Sequence, residues 1–223
     1  MNCWGGYGLP FFISLANNTI VMPSPTTSAQ TELQAVNEIL ASVGQAPVTT
    51  LDQTNPDVAI AYDTLQQVSR EVQAEGWTFN KEYEYPFTPD NNDEIVIPNN
   101  ILQIDLTPSY KEQDVVRRNG KLYDRTAHSY TFTDEVKCDV TWYFDWVDLP
   151  IPIKDYIVSR AASIVSSRIV GDSTQYQMLQ QKEAYTRALA LEYECNQGDY
   201  TFFGHPRGAN YYTSYEPYRA LYR

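Results

Sequence analysis

The feature that most limits how this chain can fold is a change of hydrophobic period that occurs twice. Apolar residues recur at helical spacing before residue 77 and after residue 149, and at strand spacing in between. In the first block Leu33, Val36, Ile39, Leu40 and Val43 share one face of a helix expected over Gln30 to Val43. Gly44 ends it and Ala46-Pro47 prevents its continuation. A second helix starts at Asn55-Pro56-Asp57, where Asn55 suits the N-cap, Pro56 the first helical position and Asp57 the positive helix end. Its apolar face is Val58, Ala61, Tyr62, Leu65, Val68 and Val72, and Gly76 closes it.

From Trp77 to Trp146 the period is two. Leu102, Ile104 and Leu106 alternate with Gln103 and Asp105, and Val140, Trp142, Phe144 and Trp146 with Thr141, Tyr143 and Asp145. Asn119-Gly120, between Val115-Val116 and Leu122-Tyr123, predicts a hairpin. Pro86, Pro89, Pro98 and Pro108 cut the stretch into short strands, as in a small sandwich or barrel. Helical spacing returns after Leu149-Pro-Ile-Pro, with Pro152 in the first turn. Two stripes, Ile153, Ile157, Ala161, Ile164 and Val158, Ala162, Val165, Ile169, cover the wide arc of a central helix. Gly171-Asp172 breaks it. Ser173 or Thr174 is expected to cap a fourth helix that runs to about Gln197 and buries Met178, Tyr185, Ala188, Leu189 and Cys195, with Gly198 as its stop.

The expected fold is therefore α+β: a discontinuous antiparallel four-helix bundle (residues 29–76 and 150–198) with a small antiparallel β domain (77–149) inserted, and extended arms at both ends. Residues 1–28 carry no charged side chain. They read as an arm that docks on a neighbouring subunit, or equally as a mobile or misassigned terminus with Met22 as the start. Residues 199–223 hold six tyrosines and, with Arg207, Arg219 and Arg223 against Asp199 and Glu216, are slightly basic on an acidic chain.

The net charge is −12, half of it between Ala29 and Gly76 (Glu32, Glu38, Asp52, Asp57, Asp63, Glu71, Glu75 against Arg70). Such a surface repels phosphate and argues against conventional nucleic-acid binding, though not against a protein that encloses DNA without gripping it. Cys3, Cys138 and Cys195 are odd in number and lack metal-ligand spacing or a disulfide framework. No run reaches transmembrane length.

Candidate chemistry is thin. Gly5-Gly6-Tyr7-Gly8 follows no strand, and neither His128 nor His205 sits in a catalytic motif. Glu82 and Glu84 on one strand face, or Glu192 and Glu194 on the fourth helix, could supply the carboxylate pair of a glycan hydrolase. With 28 acidic residues in the chain, such pairs also arise by chance. No cofactor or metal is expected.

The order of blocks resembles the tail tubular protein A family, the adaptor or gatekeeper subunits of T7-like podoviruses. ELQAVNEILASVG (Glu32 to Gly44) with Ala46-Pro47-Val48-Thr49-Thr50-Leu51, GWTFN (Gly76 to Asn80), NGKLYDRT (Asn119 to Thr126), Pro152 through Ala161, and Leu191-Glu-Tyr-Glu194 look like family blocks in family order, over roughly residues 30–198. GWTFN is the most distinctive. The resemblance implies a structural protein of the virion tail, assembled in the host cytoplasm and not an enzyme. It implies a homo-oligomeric twelve-subunit ring that joins the portal protein to the tail nozzle, with the tail fibre as a further contact. The ring encloses the genomic DNA in its exit channel without specific binding and touches no membrane. Within that picture the aromatic arm is expected to make the portal contact through Tyr211, Tyr212, Tyr215, Tyr218, Arg219 and Tyr222, because Tyr and Arg are favoured interface anchors. The first or second helix is expected to give the channel an acidic lining.

Overall fold

The computed structural model describes residues 31–107 and 113–198. Both arms, and with them Tyr211, Tyr212, Tyr215, Tyr218, Arg219 and Tyr222, lie outside the described residues. The elements are α1 (Glu32–Ser42), α2 (Pro56–Gln73), β1 (Lys81–Phe87), β2 (Ile101–Leu106), β3 (Val115–Arg118), β4 (Lys121–Asp124), β5 (Val136–Trp142), a 3-10 turn (Trp146–Asp148), α3 (Ile151–Ile169) and α4 (Ser173–Gly198). The class is α+β, with four α-helices and small antiparallel sheets among the described residues.

Local chemistry sets the helix starts. The Thr31 hydroxyl accepts from the Gln34 N–H while the Gln34 side chain accepts from the Thr31 N–H, a reciprocal cap that places the start of α1 two residues beyond Gln30. Asn55 accepts from the Asp57 N–H at 3.1 Å and Pro56 opens α2. Helix α3 is central: it packs against α1, α2 and α4. Its Ile153, Ile157, Val158, Ala161, Ala162 and Val165 are buried, whereas Ile169 is exposed at the helix end. They meet Ala35, Val36, Ile39 and Leu40 of α1 and Val58, Ala61, Leu65, Val68 and Val72 of α2 in one hydrophobic cluster. Each fully buried Val, Leu or Ile there contributes roughly 1.5–3 kcal/mol. Leu33, Tyr62 and Val43, expected on the inner faces, are only half-buried.

A second cluster lies among the strands: Phe87, Ile95, Ile97, Ile101, Val115, Leu122, Phe132, Val136, Cys138 and Val140. β5 is the middle strand of a three-stranded antiparallel sheet, order β1-β5-β2. The Asn119-Gly120 turn joins β3 to β4 as expected, with φ of 53° and 72°, the left-handed values that such a two-residue turn requires. A three-stranded sheet and a hairpin thus share one core, small antiparallel sheets where the short strands predict a sandwich or barrel. The strand predicted through Phe144 and Trp146 ends at Trp142, and Trp146 belongs to the helical core.

The GWTFN block joins the two clusters. Gly76, with φ of 78°, turns the chain out of α2. Trp77 packs in the helical core and its indole N–H donates to the Val72 carbonyl at 2.7 Å. The Asn80 amide, fully buried, donates to the Gln73 and Trp142 carbonyls and accepts from the Trp77 N–H, at 2.8, 2.9 and 2.8 Å. The equally buried Gln73 amide donates to Ser69 Oγ and the Phe144 carbonyl and accepts from the Phe144 N–H. Phe79 lies 6.3 Å from Phe144, ring to ring.

Helix α4 departs most from expectation. Its cap is Asp172, which accepts from the Thr174 N–H at 2.9 Å, and not Ser173 or Thr174. Asp ionises and so accepts more strongly than a hydroxyl. Of the residues expected to be buried, Met178, Tyr185, Ala188, Leu189 and Cys195 are all exposed, while Thr186 and Ala190 face inward. The reason lies in the surface that receives α4. Ser159, Ser163 and Ser166 fall on one face of α3, Ser163 donates to Glu183 of α4, and that small polar face takes small and polar partners.

Replacing Asn80 by Ala should cost about 2–4 kcal/mol, because three buried backbone groups lose their partner. Chemical denaturation checks this, and Asn80→Asp should not restore stability, since a carboxylate cannot donate to the Gln73 and Trp142 carbonyls.

Candidate interaction surfaces

Helix α4 is built inside out. It carries five charged residues, and four of them are engaged within the chain. Lys182 pairs with Glu38, Glu183 accepts from Ser163, Arg187 donates to the buried Tyr156 hydroxyl and lies 3.7 Å from Glu75, and Glu194 accepts from both the N–H and hydroxyl of Thr78. At 100° per residue these side chains occupy one side of the helix. The opposite arc shows Met178, Ala184, Tyr185, Ala188, Leu191 and Cys195 to solvent, Met178 at 67% and Tyr185 at 65% exposure. Glu192 is the one charge on that arc. Apolar surface out and charge in is the reverse of a solvated helix, which makes this arc a candidate contact surface.

A second surface is a groove of about 620 Å³ where the start of α1, the middle of α2, the end of the sheet and the start of α3 meet. Leu33, Tyr62, Tyr143, Trp146, Val147 and Lys154 line it, with Thr31, Glu32, Gln66 and Asp145 completing the wall. Val147 stands at the rim, 83% exposed. The Lys154 ammonium donates to the Val147 carbonyl at 3.1 Å and lies 6.0 Å from the Trp146 ring. Burial lowers its pKa from the ordinary lysine value, against the opposing pull of Asp148. A smaller groove of about 280 Å³ lies between α3 and α4, beside Pro152, Asp155, Leu189 and Tyr193. Burial, and then Glu38, raise the Asp155 pKa, with Lys182 acting the other way.

The acidic helical pair is partly neutralised. Glu38, Glu71 and Glu75 face Lys182, Arg160 and Arg187, and Glu32 accepts from Gln66. Asp63 remains exposed on the outside of α2, and Asp57 is half-buried in its first turn.

Neither carboxylate pair forms the expected site. On β1, Tyr83 and Glu84 together oppose the single Asp139, a bulge in which Glu84 has φ of 53°, and this breaks the alternation that would align Glu84 with Glu82. Glu192 and Glu194 point some 200° apart around α4, and Glu194 is taken up by Thr78. His128 sits exposed in a turn, and His205 and Cys3 lie outside the described residues. Among the described residues no cluster of metal-ligating side chains occurs, and no helix is long and apolar enough to cross a membrane. Sequence reasoning missed both the outward α4 arc and the Lys154 groove. The separation of Lys182, Glu183, Arg187 and Glu194 from Met178 and Tyr185 around the helix was a visible signal for the first.

Cys138 is buried in the sheet core, where desolvation and then Asp139 and Asp105 push its pKa up to about 12. In a Cys3→Ser background, a maleimide at neutral pH should label exposed Cys195 and leave Cys138 unmodified until denaturant is added, as read by mass spectrometry.

The sequence pattern of tail tubular proteins matches residues 33–200. Tail tubular protein A of Klebsiella phage KP34 is 28% identical over 167 residues, covering 74% of this chain and 88% of that protein.

Proposed function

Because the chain belongs to the tail tubular protein family, a family of structural phage tail proteins and not of enzymes, we propose that it is the adaptor-ring subunit of a short tail. Copies assemble side by side beneath the portal, receive the nozzle below and surround the DNA exit channel as a gatekeeper of ejection. The observation that carries this reading is the inside-out polarity of α4. A helix that spends its charges on its own chain and turns Met178, Tyr185 and Leu191 outward has a contact to make in an assembly. The exposed acids support the enclosed-DNA part: Asp52 before α2 and Asp63 on it would repel phosphate and let DNA slide. The two separate hydrophobic clusters support reading a β unit inserted into a helical bundle, although Trp77, Trp146 and Leu149 at the ends of residues 77–149 pack in the helical cluster. No observation favours the glycan hydrolase.

Electron microscopy of the purified chain, with and without portal and nozzle proteins, tests the reading. Closed rings are expected at least when the portal is present. A chain that stays monomeric with both partners would overturn it.

The portal contact is assigned to the aromatic arm, with Tyr211, Tyr212, Tyr215, Tyr218, Arg219 and Tyr222 as its anchors. Truncation after Gly198 should leave thermal unfolding of the body unchanged and abolish co-sedimentation with the portal. Normal portal binding by the truncated chain would remove the assignment.

A further inference from the structure

A ring closed by rotation joins two different patches of the same subunit, one on each flank, because a self-complementary patch gives only a pair. On the reading that this chain forms a ring, it must therefore carry a ridge and a matching recess facing opposite ways. The outward arc of α4 is the ridge. Around α3, Pro152 and Asp155 border the groove against α4, whereas Lys154 lies some 200° round from Pro152, on the far side, in the larger groove. The two surfaces are thus on opposite flanks of the central helix.

Their chemistry matches. The ridge is apolar with one charge, the Glu192 carboxylate. The groove has the aromatic and aliphatic walls of Leu33, Tyr62, Trp146 and Val147, and Lys154 is the one cation among its lining residues. Lys154 is buried, 4% exposed, yet lines the groove; its ammonium donates to Val147 and keeps two further N–H donors. Of the two acids in the wall, Glu32 already accepts from Gln66 and Asp145 is exposed. Copies of a chain with net charge −12 repel one another, so close approach is favoured where the facing surfaces are nearly neutral or opposite in sign. The α4 arc carries one formal charge and the groove, with Glu32 and Asp145 against Lys154, a net of one, so both are nearly neutral beside the whole chain.

We propose that the α4 arc of one copy seats head to tail in the Leu33–Tyr62–Trp146–Val147 groove of the next, with Glu192 facing the neighbour's Lys154. The ridge residues then act as anchors and the groove as their pocket.

The test uses two full-length variants at highly exposed positions, so that neither disturbs the fold: Met178→Asp in the ridge and Val147→Asp in the groove, at 67% and 83% exposure. Circular dichroism melts should match the wild type. Each variant alone should associate roughly a hundredfold more weakly, the order expected for an unpaired carboxylate placed in an apolar contact. Mixed in equal amounts they should give a dimer, because Val147→Asp retains a sound ridge and Met178→Asp a sound groove, and the dimer should not grow. Size-exclusion chromatography with light scattering reads all of these, run with and without portal protein. Rings from either variant alone, or no dimer in the mixture while the wild type forms rings, overturn the contact and leave the ring reading intact. Val147→Asp assembling normally removes the groove from the contact. Absence of rings from the wild type in every arm overturns the ring reading and this contact with it.

Discussion

Two buried side-chain amides, Gln73 and Asn80, hold this structure together where the helical core meets the sheet. The chain leaves the helical core at Gly76 and comes back through Tyr143 and Phe144, so two crossings connect the helical cluster with the sheet cluster. Gln73 grips Phe144 through both its N–H and carbonyl, and Asn80 grips the Trp142 carbonyl while tying the turn at Trp77 to the end of α2. The backbone adds a bond of its own, from the Trp142 N–H to the Asn80 carbonyl at 2.8 Å. Each bond is worth about 0.5–1.5 kcal/mol net, but an orphaned buried partner costs more than that. The amides therefore matter chiefly for specificity. An amide both donates and accepts, and in this arrangement the N–H and carbonyl groups of both amides are paired.

The joint also positions α4. Thr78, two residues before Asn80, binds Glu194 near the end of α4, while Gln175 and Lys182 toward its start reach Ser42 and Glu38 of α1. The helix is fastened along its length by polar contacts, not by a hydrophobic seam. That leaves its apolar residues free for the outer arc, a division that benefits an assembled protein and disfavours an isolated one.

Much of the body was legible in the sequence, for local reasons. Asn55-Pro56-Asp57, Asn119-Gly120 and Gly76 each act through groups within a few residues of themselves, and each does in the structure what its spacing predicts. The inner stripes of α2 and α3 were equally readable, because a helix whose apolar arc meets other apolar arcs has one stable orientation. The candidate surfaces were not readable. Periodicity identifies an apolar arc but not the partner that covers it, so Met178, Tyr185, Ala188 and Leu189 looked like core. The β1 bulge hid for a related reason: a two-against-one pairing with Asp139 exists only once β5 is alongside.

The sequence by itself determined the order of elements, most helix ends and the hairpin, since caps, left-handed turns and hydrophobic periods are short-range chemistry. It also carried the blocks, GWTFN above all, that connect the chain to phage tail proteins. What only the tertiary structure decided is what those blocks do and which surfaces stay open. Asn80 became a clamp because Trp142 returns from 62 residues away. The acids of α1 and α2 became partly neutral because Arg160, Lys182 and Arg187 arrive from α3 and α4. The outer arc of α4 stayed open and apolar because the face of α3 that receives this helix is serine and not leucine. Long-range pairing sets the sign of burial, and no local pattern contains it.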